Sequence, residues 1–181
     1  MYDSAPATHE HRRMVQAFLF MIKDELQRRW AHHDLTKVGP VEKPIFDEYT
    51  PKLKDSTYGS EEYKGFLEAM KPALDHHYAK NRHHPEHFKK YECNGCFKDF
   101  DEQPDCCDIC GYSQFTIRPD GIRGMNLVDL LEMFCDWKAA TMRHADGDIM
   151  KSIDINQTRF GYGDDLLMIF RNSVALFNGT D

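Results

Sequence analysis

Apolar residues recur with a helical period along most of this chain. Val15, Phe18, Leu19, Ile22 and Leu26 fall three and four apart, which predicts an amphipathic helix over residues 7–29. Extending that stripe back one turn reaches His11, which is expected to face inward. A second helix is predicted to start at Ser60, a good N-cap followed by Glu61 and Glu62, and to run to about Asn81. Tyr63, Phe66, Leu67, Met70 and Leu74 form its apolar side, which continues to His77. Pro72 is expected to kink this helix, and Pro85 to release His83–His87 as a loop. Asn126, with Asp129 three residues on, caps a third helix carrying Leu127, Leu130, Leu131, Phe134 and Trp137. Two more helices are predicted over 148–160 and 164–177, parted by Gly161-Tyr162-Gly163. From Thr36 to Gly59, with Gly39, Pro40, Pro44 and Pro51, the chain reads as connection with one helical turn near Phe46.

Composition narrows the class. The 181 residues, 41% apolar and 12% aromatic, suffice for one sizeable core, so 1–181 is read as a single helical domain. No apolar stretch is long enough to span a bilayer. His9, Glu10, His11, Arg12 and Arg13 precede the apolar residues of the N-terminus, which is not a secretory layout, so a cytoplasmic protein without membrane contact is expected. A net charge of -7 argues against a general nucleic-acid binder and favours a small anionic partner.

Five of the six cysteines crowd into one segment, as Cys93-x-x-Cys96 and Cys107-x-x-Cys110 with Cys106 between. Two such knuckles place four thiolates around one structural zinc, with Gly95 and Gly111 making the tight turns. The segment 90–116 is therefore read as a zinc-ribbon insertion. Phe97, Phe100, Tyr112 and Phe115 are expected to form its small apolar packing. A ribbon of this kind can bind nucleic acid, but more often it staples a loop too short for its own core. Cys135, in an apolar helical run, is expected to be buried.

The remaining chemistry sits in histidines and carboxylates. His33-Asp34 is an adjacent imidazole and carboxylate able to ligate one divalent ion, and Lys37 one turn later can reach an anion bound to that ion. His76, His77, His83, His84 and His87 cluster at the end of the second helix. Asp136 lies inside an apolar run, where a metal explains a carboxylate better than solvent does.

His11, then His33-Asp34-x-x-Lys37, then the histidine-rich helix end, then Asp136-Trp137-Lys138-Ala139-Ala140 resemble the HD superfamily of metal-dependent phosphohydrolases. The resemblance implies an all-α, HD-like helical bundle in which His11, His33, Asp34 and Asp136 hold a first ion. Asp34 would bridge to a second ion on His77 and one or more of His76, His83, His84 and His87, with His84 the favoured partner. The run from His76 to His87, the string Leu130–Ala140 and Ile155–Phe160 are also similar to an uncharacterised family of phages and bacteria. If the chain is phage-encoded, the host cytoplasm is its expected location.

The expected activity is hydrolysis of a nucleotide or another small phosphate ester by water activated on one or two ions of iron, manganese, nickel or zinc. Lys37 and Arg82 would offset developing charge, His87 would protonate the leaving oxygen, and Glu86 would carry a proton or orient a ligand. Two other readings stand beside it. One is an HD-like di-iron oxygenase. The other is a non-catalytic adaptor whose ribbon binds protein or nucleic acid.

Overall fold

The computed structural model describes residues 2–57, 60–143 and 147–178, so the predicted breaker Gly59 lies outside the described residues. The chain divides into two units, Met1–His33 and Asp34–Asp181. The first is one helix, α1 (Ala5–His32), with Pro6 in its first turn, where a missing N–H costs nothing. None of its residues is buried, and His11 is exposed rather than turned inward.

The second unit is mostly helical with a small sheet. It opens with a 3-10 turn over Leu35–Val38 and then α2 (Lys43–Asp55), a 13-residue helix where connection is predicted. Two prolines misled that reading. Pro44 occupies the first turn, and Pro51 is carried inside the helix, whose Ile45, Phe46, Tyr49 and Leu53 keep a half-buried helical stripe. The predicted 60–81 helix is two, α3 (Glu61–Ala69) and α4 (Lys71–Lys80). Ser60 caps the first through its hydroxyl, which accepts from the Tyr63 amide at 3.1 Å. Pro72 acts as a break rather than a kink, with Met70 serving as C-cap of α3 and N-cap of α4.

After a 3-10 turn at Pro85–His87 come β1 (Lys89–Cys93), β2 (Asp99–Phe100) and β3 (Phe115–Pro119). They form an antiparallel sheet in the order β2-β1-β3. The cysteine module is thus a β-module inside a helical unit. Then α5 (Leu127–Thr141), α6 (Ile149–Phe160) and α7 (Asp164–Ser173) pack on one another. Asn126 and Asp129 make the reciprocal cap expected of them: Asn126 Oδ1 accepts from the Val128 and Asp129 amides, and Asp129 Oδ2 accepts from the Asn126 amide. Met133, Phe134, Trp137, Ile149, Ile153, Tyr162, Leu167 and Phe170 form the core between these helices. Cys135 faces outward on α5 and is exposed, not buried.

Candidate metal centres

The second unit brings two groups of ligand-type side chains together, each able to hold a metal ion. The first is Cys93, Cys96, Cys107 and Cys110. Cys93 Sγ lies 3.6 Å from Cys110 Sγ, and Cys96 Sγ lies 3.5 Å from Cys107 Sγ. A disulfide needs about 2.05 Å, whereas a tetrahedron with zinc–sulfur bonds of about 2.3 Å has edges of about 3.8 Å. The spacing fits the ion. Gly95 donates its amide to Cys93 Sγ at 3.4 Å, as the knuckle geometry requires. Burial opposes ionisation of Cys107, yet the amides of Cys110 and Ile109 outweigh it and bring that thiol down to about 7. Phe100 packs edge-on against Phe115 as expected, but Phe97 and Tyr112 are exposed. Phe97 follows Cys96 with φ 61°, the left-handed geometry that Gly111 supplies after Cys110 with φ 71°.

The second group is Asp34, His77, His83 and His84. Asp34 stands at the head of the Leu35–Val38 turn with φ 58°, a conformation aspartate tolerates better than most residues. His77 ends the inward face of α4, while His83 and His84 follow from the loop beyond Asn81. His77 Nε2 and His83 Nε2 lie 3.2 and 3.4 Å from Asp34 Oδ1, and His77 Nε2 lies 3.0 Å from His84 Nε2. A tetrahedral ion with metal–nitrogen bonds of about 2.0–2.1 Å has ligand–ligand edges of about 3.3 Å.

Carboxylates stand behind two of these rings. Glu42, wholly buried, takes the His77 Nδ1 hydrogen on Oε2 at 2.9 Å, and Glu132 Oε1 lies 3.2 Å from His83 Nδ1. With the hydrogen on Nδ1, each ring presents its Nε2 lone pair to Asp34. Two such nitrogens and a carboxylate oxygen repel one another at this separation, and a cation among them turns repulsion into ligation. Burial, and then the neighbouring His83 and His77, push His84 down to about 3, which keeps its ring neutral as a ligand must be. Burial also opposes charge on Asp34, whereas the Lys37 ammonium at Oδ2 favours the carboxylate, the form that a ligand takes.

Other predicted site residues are distributed around this group. Lys37 Nζ lies 2.5 Å from Asp34 Oδ2, the carboxylate oxygen other than the one that faces His77 and His83. Asp136 is half-buried on α5, and one of its oxygens comes within 4.8 Å of Asp34's carboxylate. His76 bonds the Oε1 atom of Glu42 at 2.7 Å, behind the ligand group rather than in it. Arg82 is turned to Asp129 instead, donating Nε and Nη2 to its two oxygens at 3.1 and 2.9 Å. Glu86 is ion-paired with Arg159 at 2.7 Å. His87 packs against the Phe88 ring, and burial followed by the Arg82 charge pulls its pKa down.

His11 and His33 cannot share an ion. They lie 22 residues apart on α1, His33 being its C-cap, which separates them by about 33 Å at 1.5 Å per helical residue. Glu42 and Glu132 escaped sequence reasoning. Glu42 sits between Pro40 and Pro44 in a stretch that looked like linker, whereas Glu132 carried a usable signal, being one turn before Asp136 on the same helix face.

A mostly helical chain with a tetracysteine β-module and a second, mixed His/Asp ligand group is the class this geometry defines. The chain belongs to DUF5662, a family of unknown function, whose profile matches residues 1–174. The comparison with curated proteins gives no match, and neither does the comparison with solved structures.

Proposed function

We propose that this protein is a metal-dependent phosphohydrolase acting on a nucleotide or another small phosphate ester. One observation carries the reading: Asp34, His77, His83 and His84 converge at tetrahedral spacing, with Glu42 and Glu132 behind two of the imidazoles. The resemblance of His33-Asp34-x-x-Lys37 and Asp136 to the HD superfamily supports the same class. A divalent ion such as zinc, iron, manganese or nickel, held by these ligands, supplies a Lewis acid and a nucleophile at neutral pH. Asp136, near Asp34, is the residue best placed to extend the group toward a second ion.

The chain's own residues supply positioning and charge. Asp34 would hold the ion through Oδ1 while its Oδ2 pairs with Lys37, whose ammonium would be available to donate to a phosphate oxygen. With Arg82 engaged by Asp129, Lys37 is the cation that offsets developing charge there. His87, drawn to its neutral form, is a poor proton reservoir for the leaving oxygen. Cys93, Cys96, Cys107 and Cys110 would hold a structural zinc that takes no part in the chemistry. The net charge of -7 favours a small substrate over a long nucleic acid.

Elemental analysis of the wild type and of Asp34→Ala, followed by a panel of phosphate esters, tests this. The expected wild type carries one ion on the cysteines and at least one more, and hydrolyses an ester. Asp34→Ala keeps only the cysteine-bound ion and loses the hydrolysis. A single ion in both proteins, after loading with iron or manganese, overturns the reading in favour of an adaptor. Iron loading with oxygen consumption and no ester cleavage overturns it in favour of an oxygenase.

A further inference from the structure

Glu42 has no part in any ligand group, yet it is among the most buried charged residues described, with none of its surface exposed. A buried carboxylate is costly unless donors surround it. Here each oxygen takes an imidazole N–H from a neighbouring residue of α4. Oε1 accepts from His76 Nδ1 at 2.7 Å and Oε2 from His77 Nδ1 at 2.9 Å. The Thr36 hydroxyl also donates to Oε2, at 3.1 Å, and itself accepts from Asn81 Nδ2 at 2.8 Å. The other hydrogen of that amide goes to the His77 carbonyl, again at 2.8 Å. The Leu35–Val38 turn, the start of α2 and the end of α4 are therefore joined through one carboxylate.

We infer that Glu42 is a positioning residue of the His/Asp centre, setting the tautomer and ring angle of His77 so that its Nε2 meets the ion. The inference rests on the reading of that centre as a metal site, and does not require that the ion serve hydrolysis. His77 has two torsions to fix. The bond from Nδ1 to Oε2 fixes its rotation about the ring axis, and the edge of Phe46, with centroids 6.1 Å apart, bounds its tilt. His76, one-third exposed, takes the other oxygen and keeps the carboxylate from swinging away. A ring held in this way meets a metal without first losing rotational freedom, which raises affinity.

The amide of Glu42→Gln preserves volume but offers only one oxygen, so the imidazole that meets its NH2 must turn or move its hydrogen to Nε2, and for His77 either change withdraws the Nε2 lone pair from the ion. Zn2+ competition titration of the full chain against a chelator is the measurement, with protection of the cysteine thiols from alkylation reporting the tetracysteine site in the same molecules. Affinity at the His/Asp centre is expected to fall about 10–100-fold in Glu42→Gln, while the tetracysteine site is unchanged. Thr36→Val, which removes only the supporting hydroxyl, is expected to give a smaller loss, roughly threefold or more. A folded Glu42→Gln that binds as the wild type does overturns the inference, because a merely structural carboxylate would lower stability and leave affinity alone. If Glu42→Gln does not fold, Thr36→Val decides by the same criterion. A wild type that takes up ion only on its cysteines overturns the metal reading itself, a result distinct from equal affinities.

Discussion

At the scale of single residues, two side chains do something other than their type suggests. Arg82, a natural candidate for an anion contact, instead caps a buried charge: Asp129 is wholly buried and takes one N–H from its Nε and one from its Nη2. Arg82→Leu should therefore destabilise the protein by about 1–2 kcal/mol, the cost of under-satisfying a buried acceptor discounted for the partial exposure of the arginine. Chemical denaturation checks the stability, and metal content should not change. Phe97 is the opposite case, a large residue in a left-handed conformation with 72% of its surface exposed. It gains little from burial and bears about 1 kcal/mol of backbone strain. Phe97→Gly should be neutral or stabilising by up to about 1 kcal/mol, and Phe97→Val destabilising, both read from the melting of the cysteine module.

At the scale of elements, the caps and the helical period were legible, whereas proline was misread and the apolar stripe of α1 is exposed rather than buried. Ser60 and Asn126 accept from the amides that their positions predict, because capping is local chemistry decided within three residues. Pro44 and Pro51 looked like breakers, but the first costs nothing in an opening turn and the second is carried by a helix with its own stripe. The strands were not legible, because residues 89–93 pair with 115–119 across more than twenty intervening positions rather than with a neighbour in sequence. The four cysteines could hold a metal, and removing one bound there with a chelator should melt β1–β3 and leave the core of α5–α7 folded, measured as loss of amide-exchange protection confined to residues 89–119. The junction to α5 is tight as well. A Cβ at Gly124 would meet the Phe88 side chain at 2.7–2.8 Å, so Gly124→Ala should cost about 1–3 kcal/mol by thermal denaturation.

At the scale of the molecule, stability resides in the core of α5, α6 and α7. Tyr162 lies within it, its ring against Trp137 and Phe170 and its hydroxyl donating to the Ile153 carbonyl at 2.6 Å. Burial pushes the Tyr162 phenol up to about 12 from 10. The folded state thus holds a proton that the unfolded state releases above pH 10, so stability falls as pH rises from about 10 toward 12. Tyr162→Phe should cost about 1 kcal/mol near neutrality and show a shallower alkaline loss, as pH-dependent denaturation curves would reveal.

By itself the sequence determined the helical character, the caps and the tetracysteine knuckles, since each depends on residues close together along the chain. Tertiary structure decided which histidines meet. His77, His83 and His84 gather beside Asp34 because a turn, a helix and a loop converge there, and His11 cannot join His33 because one unbroken helix holds them apart. Only the fold could show that Glu42, in an apparent linker, stands behind His77, or that Arg82 belongs to Asp129. Local propensity acts over a few residues, whereas a ligand group is made by groups that the chain separates by about 50 positions and burial brings together.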